Sequence, residues 1–422
     1  LVERLKNTVF SVKFSASAEN AVLLLVSLAW LGTCLWLCQL GFGADTDAWL
    51  MAQTAEKIRL GMGYDPARSF GNPLYEGLLV LLQPQQAWWI SNLFNLLLSV
   101  SFLFRLSRYF PELTIFQTLI FRLVLMSFLF FQEMACSSME SMMGLLVFFE
   151  CLQAQKQENL LLFFGLFVSA IFIRPEYFLL LSLAGQNLFF NENKSILFWL
   201  IVLAFFSLYL GWAWGKNTLP FQSISTATSF YLGRIFYLIR QAGLFLPLWL
   251  LPFFLLFWRK SYSHIPKWTL ANLFLFLLFP FEWAYLWPAM IYSLGLFLGR
   301  IPASKKMLSI PFFLWPMAWI ELPGTQNCFP FWQVRKSQLA LLAWADSVQP
   351  SRPTLLLDGA TFVPYRVKNW SKTLDNKVFQ KENSKLFIGE LLGTEQLDSF
   401  RQAGFQIFRH REDVFENRIL KP

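Results

Sequence analysis

Apolar runs are the feature that most constrains this chain, because they recur with short polar breaks from Ala21 to Ile320. A helix that crosses a bilayer needs roughly 20 such residues to span ~30 Å of hydrocarbon. Composition points the same way. Hydrophobic residues make up 56% and charged residues 14%, whereas a soluble domain carries roughly 25% charge. The 48 Phe and 18 Trp suit side chains that face acyl tails or sit at interfaces. The formal charge of +9 does not imply nucleic acid, since the basic residues form short clusters between apolar runs.

The pattern predicts a polytopic α-helical membrane protein of about eleven spans. They fall near 21–41, 86–105, 114–131, 136–154, 160–174, 176–190, 195–214, 243–258, 268–280, 283–299 and 307–320. Ala21–Leu40 has no small-residue cleavage site after it and reads as a retained first span. With the N-terminus inside, the inner loops hold Arg105 and Arg108, Lys156, Lys194, Arg259, Lys260 and Lys267, and Arg300, Lys305 and Lys306. This follows the positive-inside rule. The loops 42–85 and 215–242 and the tail then face outward, which in a bacterial inner membrane is the periplasm. Residues 1–321 form the transmembrane domain. Residues 322–422 have mixed charge and ordinary polarity, and predict a small α/β domain on the outer side. Its expected strands are Pro353–Leu357 and Phe405–Phe408, and its expected helices Gln338–Ser347 and Thr394–Ala403.

Chemistry concentrates in the first outer loop. Asp45 and Asp47 follow the first apolar run, and an amphipathic stretch continues to Leu60. Asp45 or Thr46 can cap a helix there, and Asp47 then sits where the positive end of the macrodipole favours a carboxylate. Arg68 and Glu76 share the loop, and Gly61, Gly63, Gly71, Pro66 and Pro73 shape its turns. An Asp at a helix start is either a cap or a functional acid, and both readings stand. With only His264 and His410 in the chain, acid–base chemistry falls mainly to carboxylates. Cys34, Cys38, Cys136 and Cys151 read as small buried hydrophobes, and no zinc or disulfide spacing is present.

Charges near apolar run ends form a second group. Arg174 and Glu176 flank Pro175, a helix breaker, and Glu140 lies at a similar run end. Lys216, Arg234 and Arg240 fall in the loop 215–242, against the positive-inside trend; they read either as surface charge or as a site for an anionic phosphate. Arg122 lies within an apolar run, and Glu150 in the next run is its expected ion-pair partner.

The acidic pair, the surface helix and the segment GMGYDPARSFGNPLYEG resemble the first periplasmic loop of GT-C glycosyltransferases, polytopic enzymes that use polyprenyl-phosphate sugars. Protein O-mannosyltransferases and lipid A aminoarabinose transferases belong to this class. MESMMGLL at 139–146, IRPEYFLLL at 173–181 and WAWGKNTLPFQS at 212–223 are similar to further segments of the class, although Asn217-Thr218 precede Pro220 and a later lysine is missing. The resemblance implies a GT-C-like membrane fold and transfer of a sugar from a polyprenyl-phosphate donor to a lipid, glycan or protein acceptor at the outer face. It implies Asp47, with Asp45, as the catalytic acids and Asp47 as the general base. Under that reading Arg68, Lys216, Arg234 and Arg240 are the candidate donor-phosphate contacts, and Tyr75, Glu76, Arg174, Glu176 and Glu140 the candidate cavity-lining residues. A divalent cation, if one is used, falls to Asp45 and Asp47. The rival readings are an O-antigen ligase or polymerase, a secondary transporter and a noncatalytic scaffold.

Overall fold

The computed structural model describes residues 16–43, 46–61, 72–82, 88–185, 267–278, 287–300, 349–357, 370–373, 378–381, 383–389 and 394–409, together with scattered residues that include Tyr64, Arg335 and Gln338. The chain forms two compact units. The first comprises Leu1–Leu37, Leu93–Cys136 and Glu140–Cys328; the second comprises Cys38–Asn92, Ser137–Met139 and Phe329–Pro422. The polar tail thus belongs with the segment that follows the first apolar helix.

The described helices are α1 (Ala16–Leu37), α2 (Thr46–Arg59), α3 (Pro73–Leu82), α4 (Trp88–Tyr109), α5 (Ile115–Ser127), α6 (Leu129–Cys136), α7 (Ser141–Lys156), α8 (Leu160–Ile173), α9 (Tyr177–Gly185), α10 (Lys267–Leu278) and α11 (Trp287–Arg300). They correct the expected architecture. Among the described residues only α4 is long and apolar enough to cross a membrane, so the described helices do not support the expected GT-C-like arrangement of about eleven spans. The physical reason is that these helices are short: the run 114–131 breaks inside continuous hydropathy, and the run 160–174 stops at its expected end, short of a membrane's thickness. The run 114–131 is interrupted at Phe128, which is extended at φ −78° and ψ 123°. The run 160–174 ends at Arg174, also extended, because the residue before a proline disfavours helical geometry. What remains of them is 13 residues in α5 and 14 in α8, about 20 Å at ~1.5 Å per residue. The expected spans 195–214, 243–258 and 307–320 lie outside the described residues.

Local signals explain where these helices start. Thr114 and Gln117 form a reciprocal capping box at α5: Thr114 Oγ1 accepts from Gln117 N–H at 3.2 Å, and Gln117 Oε1 accepts from Thr114 N–H at 2.9 Å. Gln117 Nε2 also donates to the Leu298 carbonyl at 2.7 Å, tying α5 to the end of α11. Asn159 caps α8 by accepting from Leu162 N–H at 3.1 Å. The core of the first unit is aromatic, with Phe149 in ring contact with Phe102, Tyr109 and Phe110, and Phe148 in contact with Tyr177 and Trp268. Arg122 does not pair with Glu150. Its guanidinium donates to the Leu103 and Phe104 carbonyls at 2.9 and 3.2 Å, while Glu150 takes Arg105 and Tyr109. Apolar periodicity placed the two at similar depth, but helix rotation sets which faces meet.

In the second unit the tail carries β1 (Thr354–Leu357), β2 (Trp370–Thr373), β3 (Val378–Lys381), β4 (Leu386–Gly389), helix α12 (Thr394–Gln402) and β5 (Gln406–Arg409). The sheet order is β2-β3-β4-β1-β5. β1 is parallel to β4 and β5, while β2–β3 and β3–β4 are antiparallel. α12 closes one side with Leu397 and Phe400 against Leu355, joined by Phe387, Phe405 and Ile407.

Candidate functional site

The segment after α1 is built around a buried tryptophan. Trp49, in the first turns of α2, donates its indole N–H to the Gly43 carbonyl at 3.0 Å and lies 3.1 Å from Gln338 Oε1. Its ring meets Phe42 edge-on at 5.1 Å. Gly41 makes that approach possible. It sits at φ +83°, where L-residues are strained, and a Cβ there would stand 2.8 Å from the Trp49 ring. Asn92 then locks the preceding turn by donating to the Cys38 and Gly41 carbonyls at 3.1 and 2.7 Å, and it accepts from Ser138 Oγ at 2.8 Å. Ala48, Met51, Ala52 and Ala55 turn the inner face of α2 into the core.

These contacts fix the start of α2, and Asp47 lies on its first turn. Two further acids of the segment, Glu56 and Glu76, have partners. Glu56 pairs with Arg59 one turn on. Glu76, fully buried in the first turn of α3, accepts from the Tyr64 hydroxyl and, at 3.2 Å, from Asn72 N–H. Tyr75 is fully buried beside it. The expected cavity role of Glu76 thus becomes a bond that draws Tyr64 to the head of α3. Asp45, Arg68, Lys216, Arg234 and Arg240 lie outside the described residues. Among the described residues no group of three or more His, Cys, Asp or Glu gathers as a metal site would.

Within the first unit, Arg174, Glu176 and Glu140 come together. Arg174 is 1% exposed, as is Glu140. Its Nε donates to Glu176 Oε1 at 2.5 Å and lies 3.8 Å from Glu140 Oε1, and its NH1 donates to Ser141 Oγ at 3.2 Å. The geometry follows from three local facts. Pro175 ends α8 and turns Arg174 off the helix axis. Glu140 occupies the cap position of α7 without a side-chain capping bond, next to the positive end of that helix. Gly144 leaves room, since a Cβ there would meet Arg174 Cδ at 2.9 Å and the Tyr177 ring at 3.2 Å. Tyr177 also lies against the guanidinium face, 5.7 Å from its centre. A guanidinium so engaged joins the α8–α9 break to the head of α7.

Several participants were not singled out in the sequence: Trp49, Tyr64, Ser141, Tyr177 and Gln338. Tyr177 directly follows Arg-Pro-Glu and Ser141 directly follows Glu140, so adjacency was an available signal. Gln338 had none, because it meets Trp49 across 289 positions. Comparison with protein families, curated proteins and solved structures gives no match for this chain.

Proposed function

We propose that the protein is a membrane-associated glycosyltransferase that moves a sugar from a polyprenyl-phosphate donor to a lipid, glycan or protein acceptor at the outer face of a bacterial inner membrane. The supporting observation is the placement of Asp47 on the first turn of a helix pinned by Trp49, while Glu56 and Glu76 are engaged elsewhere. In the proposed step the Asp47 carboxylate takes the proton of an acceptor hydroxyl or amine. The acceptor atom bonds to the anomeric carbon, and the bond from that carbon to the phosphate oxygen breaks, releasing polyprenyl phosphate. Asp45 is the partner of Asp47 or a cation ligand, and Arg68, Lys216, Arg234 and Arg240 are the proposed phosphate contacts. The sequence resemblance of this segment to the GT-C loop supports the donor class.

The test uses the full chain in proteoliposomes with polyprenyl-phosphate mannose or polyprenyl-phosphate aminoarabinose and a membrane-extract acceptor. Release of polyprenyl phosphate is measured. Asp47→Asn is expected to lower turnover by ~10²–10⁴-fold, the contribution of a positioned general base. If neither donor is consumed, the reading fails. If turnover survives both Asp47→Asn and Asp45→Asn, the base is elsewhere.

A further inference from the structure

We infer that one end of the first unit, where α4 and α7 finish and α5 and α8 begin, docks on an anionic phospholipid surface, with Arg105 and Arg108 on headgroup phosphate. This rests on the membrane setting proposed above and is independent of sugar transfer.

Hydrogen bonds assemble this end. Glu150 of α7 accepts from Arg105 NH1 at 2.5 Å and from the Tyr109 hydroxyl at 2.6 Å. Arg108 NH1 stands 3.9 Å from the same carboxylate. Lys156 Nζ donates to the Tyr109 carbonyl at 3.1 Å, which brings a third cation to the cluster. Glu150 is largely covered, whereas the side chains of Arg105 and Arg108 remain 46% and 44% exposed. Each guanidinium has five donors in a planar fork. With each side chain about half exposed, donors not used on Glu150 remain for phosphate oxygens.

The same end exposes its bulkiest apolar groups. Phe104, adjacent to Arg105, is 68% exposed; Ile115, which opens α5, is 84% exposed; Leu161, five residues after Lys156, is 87% exposed. Large apolar side chains in water beside half-open cations are a costly combination for a surface that faces only solvent. They suit the boundary between headgroups and acyl chains, where the apolar groups insert and the long cationic side chains reach phosphate. The end is not uniformly basic. Glu112 and Glu158 are exposed there, but Glu112 lies beside Gly299, next to Arg300 at the end of α11. With Arg300 counted, four cations stand against Glu150, Glu112 and Glu158, a balance that favours an anionic leaflet over a zwitterionic one.

The test is lipid retention by the full chain, taken from nanodiscs of phosphatidylcholine and phosphatidylglycerol at 3:1 and read by native mass spectrometry. The wild-type protein is expected to retain phosphatidylglycerol above its bulk share. Arg105→Gln with Arg108→Gln should lower the retained phosphatidylglycerol-to-phosphatidylcholine ratio roughly 25-fold, and Arg108→Gln alone roughly five-fold, at ~1 kcal/mol per cation near an anionic surface. Arg105→Lys with Arg108→Lys should keep most of it. Arg108→Gln guards against misfolding, because Arg108 meets Glu150 only at 3.9 Å and the thermal midpoint should hold. Retention of the two lipids in their bulk 3:1 proportion, or undiminished enrichment in the double glutamine variant, overturns this inference alone. Retention of neither lipid overturns the membrane setting with it.

Discussion

Two polar clusters, one in each unit, satisfy buried groups in opposite ways. In the first, a full guanidinium and two carboxylates, Glu140 and Glu176, are drawn together where α8 breaks. In the second, the turn after α1 is held by neutral groups: the Asn92 amide, the Ser91 and Ser138 hydroxyls and the Trp49 indole. Charges taken out of water are costly, and their attraction offsets that cost only when the geometry is complete. Neutral hydrogen bonds involve smaller terms of both signs. The first arrangement should therefore fail abruptly when one member is removed, and the second gradually.

The sharpest way to break that contrast is Arg174→Met. It leaves two carboxylates without their guanidinium and should cost about 3–5 kcal/mol, read as a fall in the thermal or denaturant midpoint of the full chain. Adding Glu140→Gln and Glu176→Gln should return part of the loss. If the single and triple variants unfold together, the cluster is not an ion network.

Gly41→Ala comes next. It puts a side chain at φ +83° and a methyl 2.8 Å from the Trp49 ring, which should cost about 2–4 kcal/mol from backbone strain and overpacking. Loss of near-ultraviolet circular dichroism from the Trp49 environment is the accompanying readout. In Asn92→Ala the Cys38 and Gly41 carbonyls and the Ser138 hydroxyl each lose a partner. Its expected cost is about 1–3 kcal/mol, smaller than that of Arg174→Met although Asn92 makes at least as many bonds. A cost equal to that of the arginine variant would remove the distinction between charged and neutral networks. The mildest change is Thr114→Ala, which opens one capping box at α5 and should cost ~1 kcal/mol. Amide exchange confined to the first turn of α5 would show it.

Part of the tail was legible in advance, whereas β2, β3 and β4 were not expected. Thr354–Leu357 and Gln406–Arg409 form where β-rich runs stood between turn residues, and Thr394–Gln402 where apolar residues recurred at helical spacing. The order of the strands was not, because β1 lies between β4 and β5, and pairing at that separation leaves no local trace. In the apolar region the helical character was readable but the helix lengths were not. Phe128 and the turn Ser137–Glu140 break helices within runs of continuous hydropathy. The candidate site divides similarly. A helix starting beside Asp47 was expected from its capping residues, and α2 begins at Thr46. The engagement of Glu76 by Tyr64 and of Trp49 by Gln338 depends on chain folding back over distance.

What the sequence by itself determined is therefore local. Helix starts at Asn159 and Thr114, the stop before Pro175 and the burial of Cys34, Cys38, Cys136 and Cys151 each follow from a few neighbouring residues. Tertiary structure alone decided the partners. Glu150 took Arg105 rather than Arg122, and Arg174 took Glu176, Glu140 and Ser141. The physical reason is that burial removes water as a competing partner. A charged or polar group must then bond to whatever the packing brings within about 3 Å, and hydropathy carries no information about which group that will be.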